Sequence, residues 1–192
     1  MIPAERVALV LLAAGRSERF GDADKLAEPF LGKPLALHVV TALEGVPFAA
    51  RYVVSSGTAV DFGPAYRVVT NDAPEAGQAR SVRLGVAAAA EADVDAVLVA
   101  LADMPRVTAA QVFRLLDAAG EGEDVVASSD GVRPKPPALF GRRHFAALTA
   151  LKGDAGARDL IAAGRHIVTT PAELVDIDTR EDLERLRASV RL

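Results

Sequence analysis

The chain has no cysteine and no tryptophan among its 192 residues. Without cysteine there is no thiol nucleophile, no disulfide and no zinc–thiolate centre. Long apolar runs are also missing. The longest β-rich run, Val7 to Ala14, falls well short of the ~20 residues a membrane-spanning helix needs. No basic segment of the signal-peptide kind precedes it. Positive charge is not in excess either: 22 Lys and Arg against 26 Asp and Glu leave a net charge of −4, a poor balance for wrapping nucleic acid. What is present is a globular composition, 51% hydrophobic and 25% charged, which excludes disorder. The length suits one domain, residues 1–192, able to bury its core without a metal or disulfide staple. The expectation is a soluble cytoplasmic protein with no membrane and no nucleic-acid partner.

Two apolar runs, Val7–Leu12 and Ala96–Leu101, do not alternate with polar residues. Such runs predict strands buried on both faces, as in a parallel sheet. Tyr52–Ser55, Arg67–Thr70, Asp124–Ala127 and Ile167–Thr170 are weaker strand candidates. Between them lie helical patterns. Val112, Leu115, Leu116 and Ala119 share one face behind a Thr108-x-x-Gln111 capping box. Leu183, Leu186 and Val190 follow Thr179-x-x-Asp182, a partial match to that box. Asp154 is a candidate cap for a helix stopping at Gly164, Pro34 suits the first turn of a helix through Leu43, and Val82 to Ala92 reads as helical. Gly120–Glu123 and Asp130–Pro137 read as loops. Strands alternating with helices predict an α/β fold: a three-layer αβα sandwich around a mostly parallel sheet.

The first strand runs into Leu12-Ala13-Ala14-Gly15-Arg16-Ser17-Glu18-Arg19-Phe20-Gly21, followed by Lys25. Small residues after a buried strand let a backbone approach a ligand closely, and turn amides can cradle phosphate oxygens. Arg19 and Lys25 would add two cations to such an anion site. An ordinary strand-to-loop turn with solvated charges would carry the same residues. Neither the G-x-G-x-x-G fingerprint nor a G-x-x-x-x-G-K-[ST] loop occurs, which weakens a nicotinamide oxidoreductase or P-loop reading. The Ala96–Leu101 strand ends in Ala102-Asp103-Met104-Pro105. An acid at the carboxyl end of a buried strand stands where open α/β sheets bind ligands, and its oxygens suit Mg²⁺, although a turn cap would look alike. Asp176 and Asp178 lie near the end of the chain, and two distant aspartates could hold a metal on a triphosphate. Asp178 stands next to the Thr179 helix start and could equally be a cap. His38, His144 and His166 stand at no metal or triad spacing.

These residues together resemble the MobA-like nucleotidyltransferases. L-A-A-G-x-S-x-R-F-G with Lys25 is similar to that family's opening signature. Gly32-Lys33-Pro34-Leu35, Asn71 with Gly77-Gln78-Ala79-Arg80-Ser81-Val82, and Leu101-Ala102-Asp103-Met104-Pro105 look like its following segments in order. So do the Pro137–Phe145 segment, the Lys152–Arg158 segment and the Asp176–Leu183 tail. Within the family the chain looks most like the molybdenum cofactor cytidylyltransferases. Ala14, where the guanylyl branch commonly has a second glycine, points the same way. Val132-Arg133-Pro134-Lys135-Pro136-Pro137 departs from the Gly-His pair common before the Pro-x-Leu-Phe step, and Asp22-Ala23-Asp24 makes the loop before Lys25 less basic.

The resemblance implies a Rossmann-like fold of the nucleotide-diphospho-sugar transferase type. It implies a Mg²⁺-dependent transfer of CMP from CTP to the phosphate of molybdopterin, with pyrophosphate leaving. GTP as donor, another phosphorylated acceptor, and a non-catalytic carrier are the alternatives. A molybdoenzyme receiving the product is an expected partner. Leu12, Ala13, Ala14 and Gly15 would hold the triphosphate, and Arg19 and Lys25 would meet its charge. Asn71, Gly77 and Ser81 would lie near the base. Asp103 and Asp178 would hold the metal, with Asp176 the second choice. Gly15 and Asp103 should then be close, at the point where the winding of the sheet reverses.

Overall fold

Every residue of Val7–Ala13 is buried in the computed structural model, and this strand, β1, is the centre of the molecule. The structure describes residues 1–15, 18–21, 23–120, 124–153 and 157–190. After β1 come β2 (Pro29–Phe30), β3 (Lys33–Pro34), α1 (Leu37–Ala42), β4 (Ala50–Ser55), β5 (Arg67–Thr70) and α2 (Gln78–Ala90). Then follow β6 (Ala96–Leu101), α3 (Ala109–Ala118), β7 (Val125–Ser129), β8 (Pro134–Gly141), α4 (Phe145–Thr149), α5 (Arg158–Ala163), β9 (Arg165–Val168) and α6 (Arg180–Ser189). The main sheet has the order β5-β4-β1-β6-β8-β7-β9. β1 pairs in parallel with both β4 and β6, while β8 runs antiparallel to β6 and β7.

Strand alternation sorts β1 into two cores. Leu9, Leu11 and Ala13 pack with Val39 of α1 and Val112, Leu115 and Leu116 of α3. Val10, Leu12 and Ala14 face Val86 of α2, Leu148 of α4 and Ile161 of α5. This is the expected three-layer αβα sandwich with a mostly parallel sheet. On the second face α2 lies so close to the sheet that a Cβ on Gly85 would stand 2.3 Å from Val10 Cγ1 and 2.9 Å from Val54 Cγ2. A third cluster lies beyond the strand ends. Phe20, Phe30 and Leu35 pack with Ile177, Leu183 and Leu186, so α6 is sewn to the segment that follows β1.

Several local expectations are corrected. Part of the predicted loop Asp130–Pro137 is the start of β8, an eight-residue strand. Its prolines hide it, because proline donates nothing to a ladder. The structure accommodates them by pairing β6 only with Ala138–Gly141, beyond the prolines. Pro34 lies in the short β2–β3 hairpin, and the helix starts three residues later at Leu37. The last strand is Arg165–Val168, not Ile167–Thr170, and α2 starts at Gln78, not Val82. Thr108 does cap α3, accepting from the Gln111 amide at 3.1 Å, but the Gln111 side chain donates to Ser128 instead of closing the box. The Thr179–Asp182 box is complete. The Asp154 cap, most of the Gly120–Glu123 loop, and Arg16, Ser17 and Asp22 of the opening motif lie outside the described residues.

Candidate functional site

β1 and β6 are parallel neighbours, so the segments leaving their carboxyl ends emerge side by side. The Ala102 amide donates to Leu12 O at 3.0 Å, which extends the pairing past the strand ends. Gly15 and Asp103 therefore line one cavity of about 560 Å³. Among the described residues, its chain neighbours aside, a Cβ added at Gly15 would meet no atom within 4 Å. The glycine opens onto free space, where a side chain would compete with a ligand for room. Past it, a 3-10 turn, Glu18–Phe20, is fixed by Phe20, which is 2% exposed, and this leaves Arg19 at the rim. Asp24 fixes the next turn. Its carboxylate accepts from the Leu26 amide, the Ala59 amide and the Thr58 hydroxyl.

Lys25 is thereby turned inward, and it is 6% exposed. Its ammonium donates to Asp103 Oδ2 at 2.6 Å, to Ile177 O at 2.9 Å and to Asp178 Oδ1 at 3.4 Å. Arg19 donates to the other oxygen of Asp178 at 2.8 Å. The two acids come from segments 75 positions apart in the chain, and the Ile177 amide ties them by donating to Asp103 O at 3.0 Å. Burial pushes the Asp103 carboxyl above the usual range for an aspartate, and the adjoining Lys25 ammonium opposes the shift. Among the described residues Asp103 Oδ1 is buried without a hydrogen-bond partner.

That orphaned oxygen is the observation that tests for a metal. Two carboxylates at a ligand cavity, one holding an unmet acceptor, match the hard oxygen donors that Mg²⁺ takes. Among the described residues no group of three or more metal-ligating side chains occurs. Asp103 and Asp178 would thus supply two ligands, and a phosphate and water the remainder.

Of the other expected residues, Leu12, Ala14, Gly77 and Ser81 line this cavity. Ala13 belongs to the opposite core, because strand alternation turns it away. Asn71 is 1% exposed and braces the loop before α2: it donates to Ser81 Oγ at 3.0 Å and accepts from Arg80 and Ala73. Asp176 pairs with Lys135 at 3.4 Å and lines a neighbouring cavity of about 710 Å³. The two cavities share Leu12, Arg19, Gln78, Leu101, Asp103 and Asp178. The second has Met104, Phe140 and Ile161 on its walls, and Arg133, Lys135 and Arg158 add cations. Gln78, Leu101, Arg133 and Arg158 stand in segments that the sequence reading compared with the family, but it gave none of them a site role of its own. Gln78 was within reach of it: with Gly77 and Ser81 it forms the first turn of α2, and i, i+3 spacing places Gln78 and Ser81 on one face.

A family model, the MobA-like NTP transferase domain, matches residues 9–169. This protein belongs to the MobA-like NTP transferase family. Among relatives of this MobA-like chain, the Bacillus subtilis purine catabolism protein PucB is 31% identical over 94% of the chain and 96% of its own length. The bifunctional protein GlmU of Rhizorhabdus wittichii is 35% identical over 70% of the chain, and the match spans only 31% of GlmU. A molybdenum cofactor guanylyltransferase of Albidiferax ferrireducens is 48% identical over a shorter stretch, 23% of the chain and 21% of its own. The crystal structure of an Rv0371c homologue from Mycobacterium sp. strain JC1 superposes with a TM-score of 0.81, at 29% identity and 97% coverage of both chains. No helix among the described residues is long and apolar enough to cross a membrane.

Proposed function

We propose that the chain is a single nucleotidyltransferase domain that transfers CMP from CTP to the terminal phosphate of molybdopterin, using a divalent cation, with Mg²⁺ as the expected ion. The observation that carries this reading is the meeting of the Gly15 loop, two cations and two acids at a cavity that shares lining residues with a second one. An acceptor phosphate oxygen attacks the α-phosphorus. The new P–O bond forms as the bond to the β-phosphate bridging oxygen breaks, and pyrophosphate takes the electron pair. The protein needs no covalent nucleophile, because the acceptor phosphate is one. Catalysis is then positioning and charge neutralisation.

The loop from Leu12 to Gly15 leaves room for phosphates, and Gln78 and Ser81 on the first turn of α2 face the same space. Arg19 is exposed and planar, suited to two phosphate oxygens at once. Asp103 and Asp178 would hold the cation, which supplies charge neutralisation and alignment of the triphosphate. A manganese complex of Rv0371c from Mycobacterium tuberculosis, 24% identical, supports testing Mn²⁺ beside Mg²⁺. For the acceptor, the apolar walls of the second cavity, with Arg133 and Arg158 as cations it does not share with the first, suit a flat, anionic heterocycle. A carrier without turnover would have no use for the paired acids.

A guanylyl donor is the second reading, favoured by the local match to the molybdenum cofactor guanylyltransferase. Thermal-shift screening against the four NTPs with Mg²⁺ separates the two, since a ligand that binds the native state raises its stability. The expected result is the largest shift with CTP, followed by pyrophosphate release when molybdopterin is added. No shift with any NTP overturns the reading.

A further inference from the structure

In this structure Lys25 does more than line the cavity. Its ammonium stands between the two acids, using Asp103 Oδ2, Asp178 Oδ1 and the Ile177 carbonyl as acceptors. An ammonium has three protons to donate, and three acceptors are present. The lysine stem is buried and the turn before it is fastened by Asp24, so this is a built position and not a surface side chain caught in passing. With Arg19 on Asp178, the cluster holds two carboxylates and two cations and is neutral.

A divalent cation entering alone would find Asp103 Oδ1 open among the described residues, but both Asp178 oxygens taken by Lys25 and Arg19, and the Lys25 ammonium standing on the second Asp103 oxygen. It would also leave a partly buried neutral cluster with two excess positive charges, which is unfavourable in a low-dielectric site. A triphosphate arriving with the cation removes both obstacles. Its oxygens offer the ammonium new acceptors, and its negative charge offsets the cation.

We infer that Lys25 is a positioning residue that holds Asp103 and Asp178 together, places its charge between them where a cation would bridge the two carboxylates, and thereby makes cation binding depend on nucleotide. The inference rests on the nucleotidyltransferase reading. It adds an order of events: cation and nucleotide enter together, and Lys25 passes from the carboxylates to the phosphates as they do. Lys25 thus has two successive sets of partners, the carboxylates and then the phosphates.

The test is the affinity for Mn²⁺ alone, read by electron paramagnetic resonance, in the wild type and in Lys25→Met, which keeps the buried stem. The expected outcome is weak binding by the wild type and binding roughly tenfold tighter or more by the variant, the effect of removing a charge-assisted competitor. A purely structural lysine predicts the opposite sign, because the acids would spread and the affinity would fall. Equal or weaker binding by a folded variant overturns the inference. The wild type gives an independent reading through the ammonium ¹⁵N resonance of Lys25. That resonance should stay in place on addition of millimolar Mg²⁺ and move when a non-hydrolysable CTP or GTP analogue follows. A shift with Mg²⁺ alone overturns the inference even if the variant does not fold. Failure of Mn²⁺ to bind the wild type with any of the four NTPs overturns the functional reading itself. Nucleotide-supported binding with no gain in Lys25→Met overturns the lysine's role alone.

Discussion

At the scale of single residues, the cluster around Lys25 changes what a substitution of Asp103 should do. Seen only as an acid at a strand end, Asp103 looks removable with little effect on folding. The structure corrects this, because Asp103 is the closest partner of a buried ammonium. Asp103→Ala is expected to abolish pyrophosphate release and to destabilise the fold by about 3 kcal/mol, since it leaves a buried charge short of its partner. Asp103→Asn should recover much of that stability by keeping an acceptor, and remain inactive. Urea denaturation beside the pyrophosphate assay checks both, and an active Asp103→Asn enzyme would refute the metal-ligand role. Lys25 and Arg19 should separate kinetically. Lys25→Ala is expected to lower kcat by about a hundredfold, through charge that grows as pyrophosphate departs. Arg19 is 72% exposed at the side chain, so Arg19→Ala should change stability by no more than ~0.5 kcal/mol and raise KM for the nucleotide instead. Steady-state kinetics with an intact kcat for Lys25→Ala would remove that lysine from the chemical step.

At the scale of elements, two glycines with different surroundings make a matched pair. Gly85 is where α2 meets β1 and β4, and a methyl there would overlap Val10 and Val54. Gly85→Ala should destabilise by about 1–3 kcal/mol through overpacking and displace α2, the helix whose first turn carries Gln78 and Ser81. Gly15 has open space around it. Gly15→Ala should melt within a degree or two of the wild type, a shift of under ~1 kcal/mol for a chain this long, yet bind nucleotide more weakly. Calorimetry with and without CTP distinguishes the pair. If Gly15→Ala binds nucleotide normally, the loop after β1 is not a phosphate cradle. The same scale explains why α6 matters to the site. Its capping box fixes Thr179, and Asp182 also accepts from the Asp178 amide at 3.2 Å, so the helix start holds the second acid in place.

At the scale of the whole molecule, Glu173 ties together segments that the chain keeps far apart. It accepts from Thr108 before α3 and from Thr169 and Thr170 after β9, and it pairs with Arg114. Burial opposes its ionisation, but the hydroxyls of Thr169, Thr108 and Thr170 prevail and hold its pKa at about 2, below the ordinary 4.5 of a glutamate. A folded-state pKa below the unfolded one means a stabilising contribution that is complete above pH 4.5 and lost as pH falls towards 2. Integrated over that window the contribution is at most on the order of 3 kcal/mol, and less once solvent screening of this partly exposed side chain is counted. Glu173→Gln should therefore be less stable than the wild type at neutral pH and lose less stability on acidification. Denaturation curves at pH 7 and at roughly pH 3 check this, and parallel acid sensitivity in the two proteins would place the effect elsewhere.

The sequence by itself determined the layers. The continuous apolar runs Val7–Leu12 and Ala96–Leu101 point to strands covered on both faces, and the spacing of Val112, Leu115 and Leu116 to a helix with one buried face. These are local periodicities, and burial reads them directly. The sequence also marked Gly15, Arg19, Lys25, Asp103 and Asp178 by residue type and by their place after strands. It could not show β8, because prolines suppress the ladder signal in a segment whose pairing is set by β6 and β7. Nor could it show that Ala13 and Asn71 face away from the cavity, which depends on strand phase and on Asn71 hydrogen bonding across a loop. Above all, only the tertiary structure decided that Lys25 stands on Asp103 and Asp178. Those partners lie 78 and 153 residues away along the chain. They meet only because parallel pairing aligns the ends of β1 and β6, and because the apolar cluster of Phe20, Ile177 and Leu183 folds the C-terminal segment back onto them.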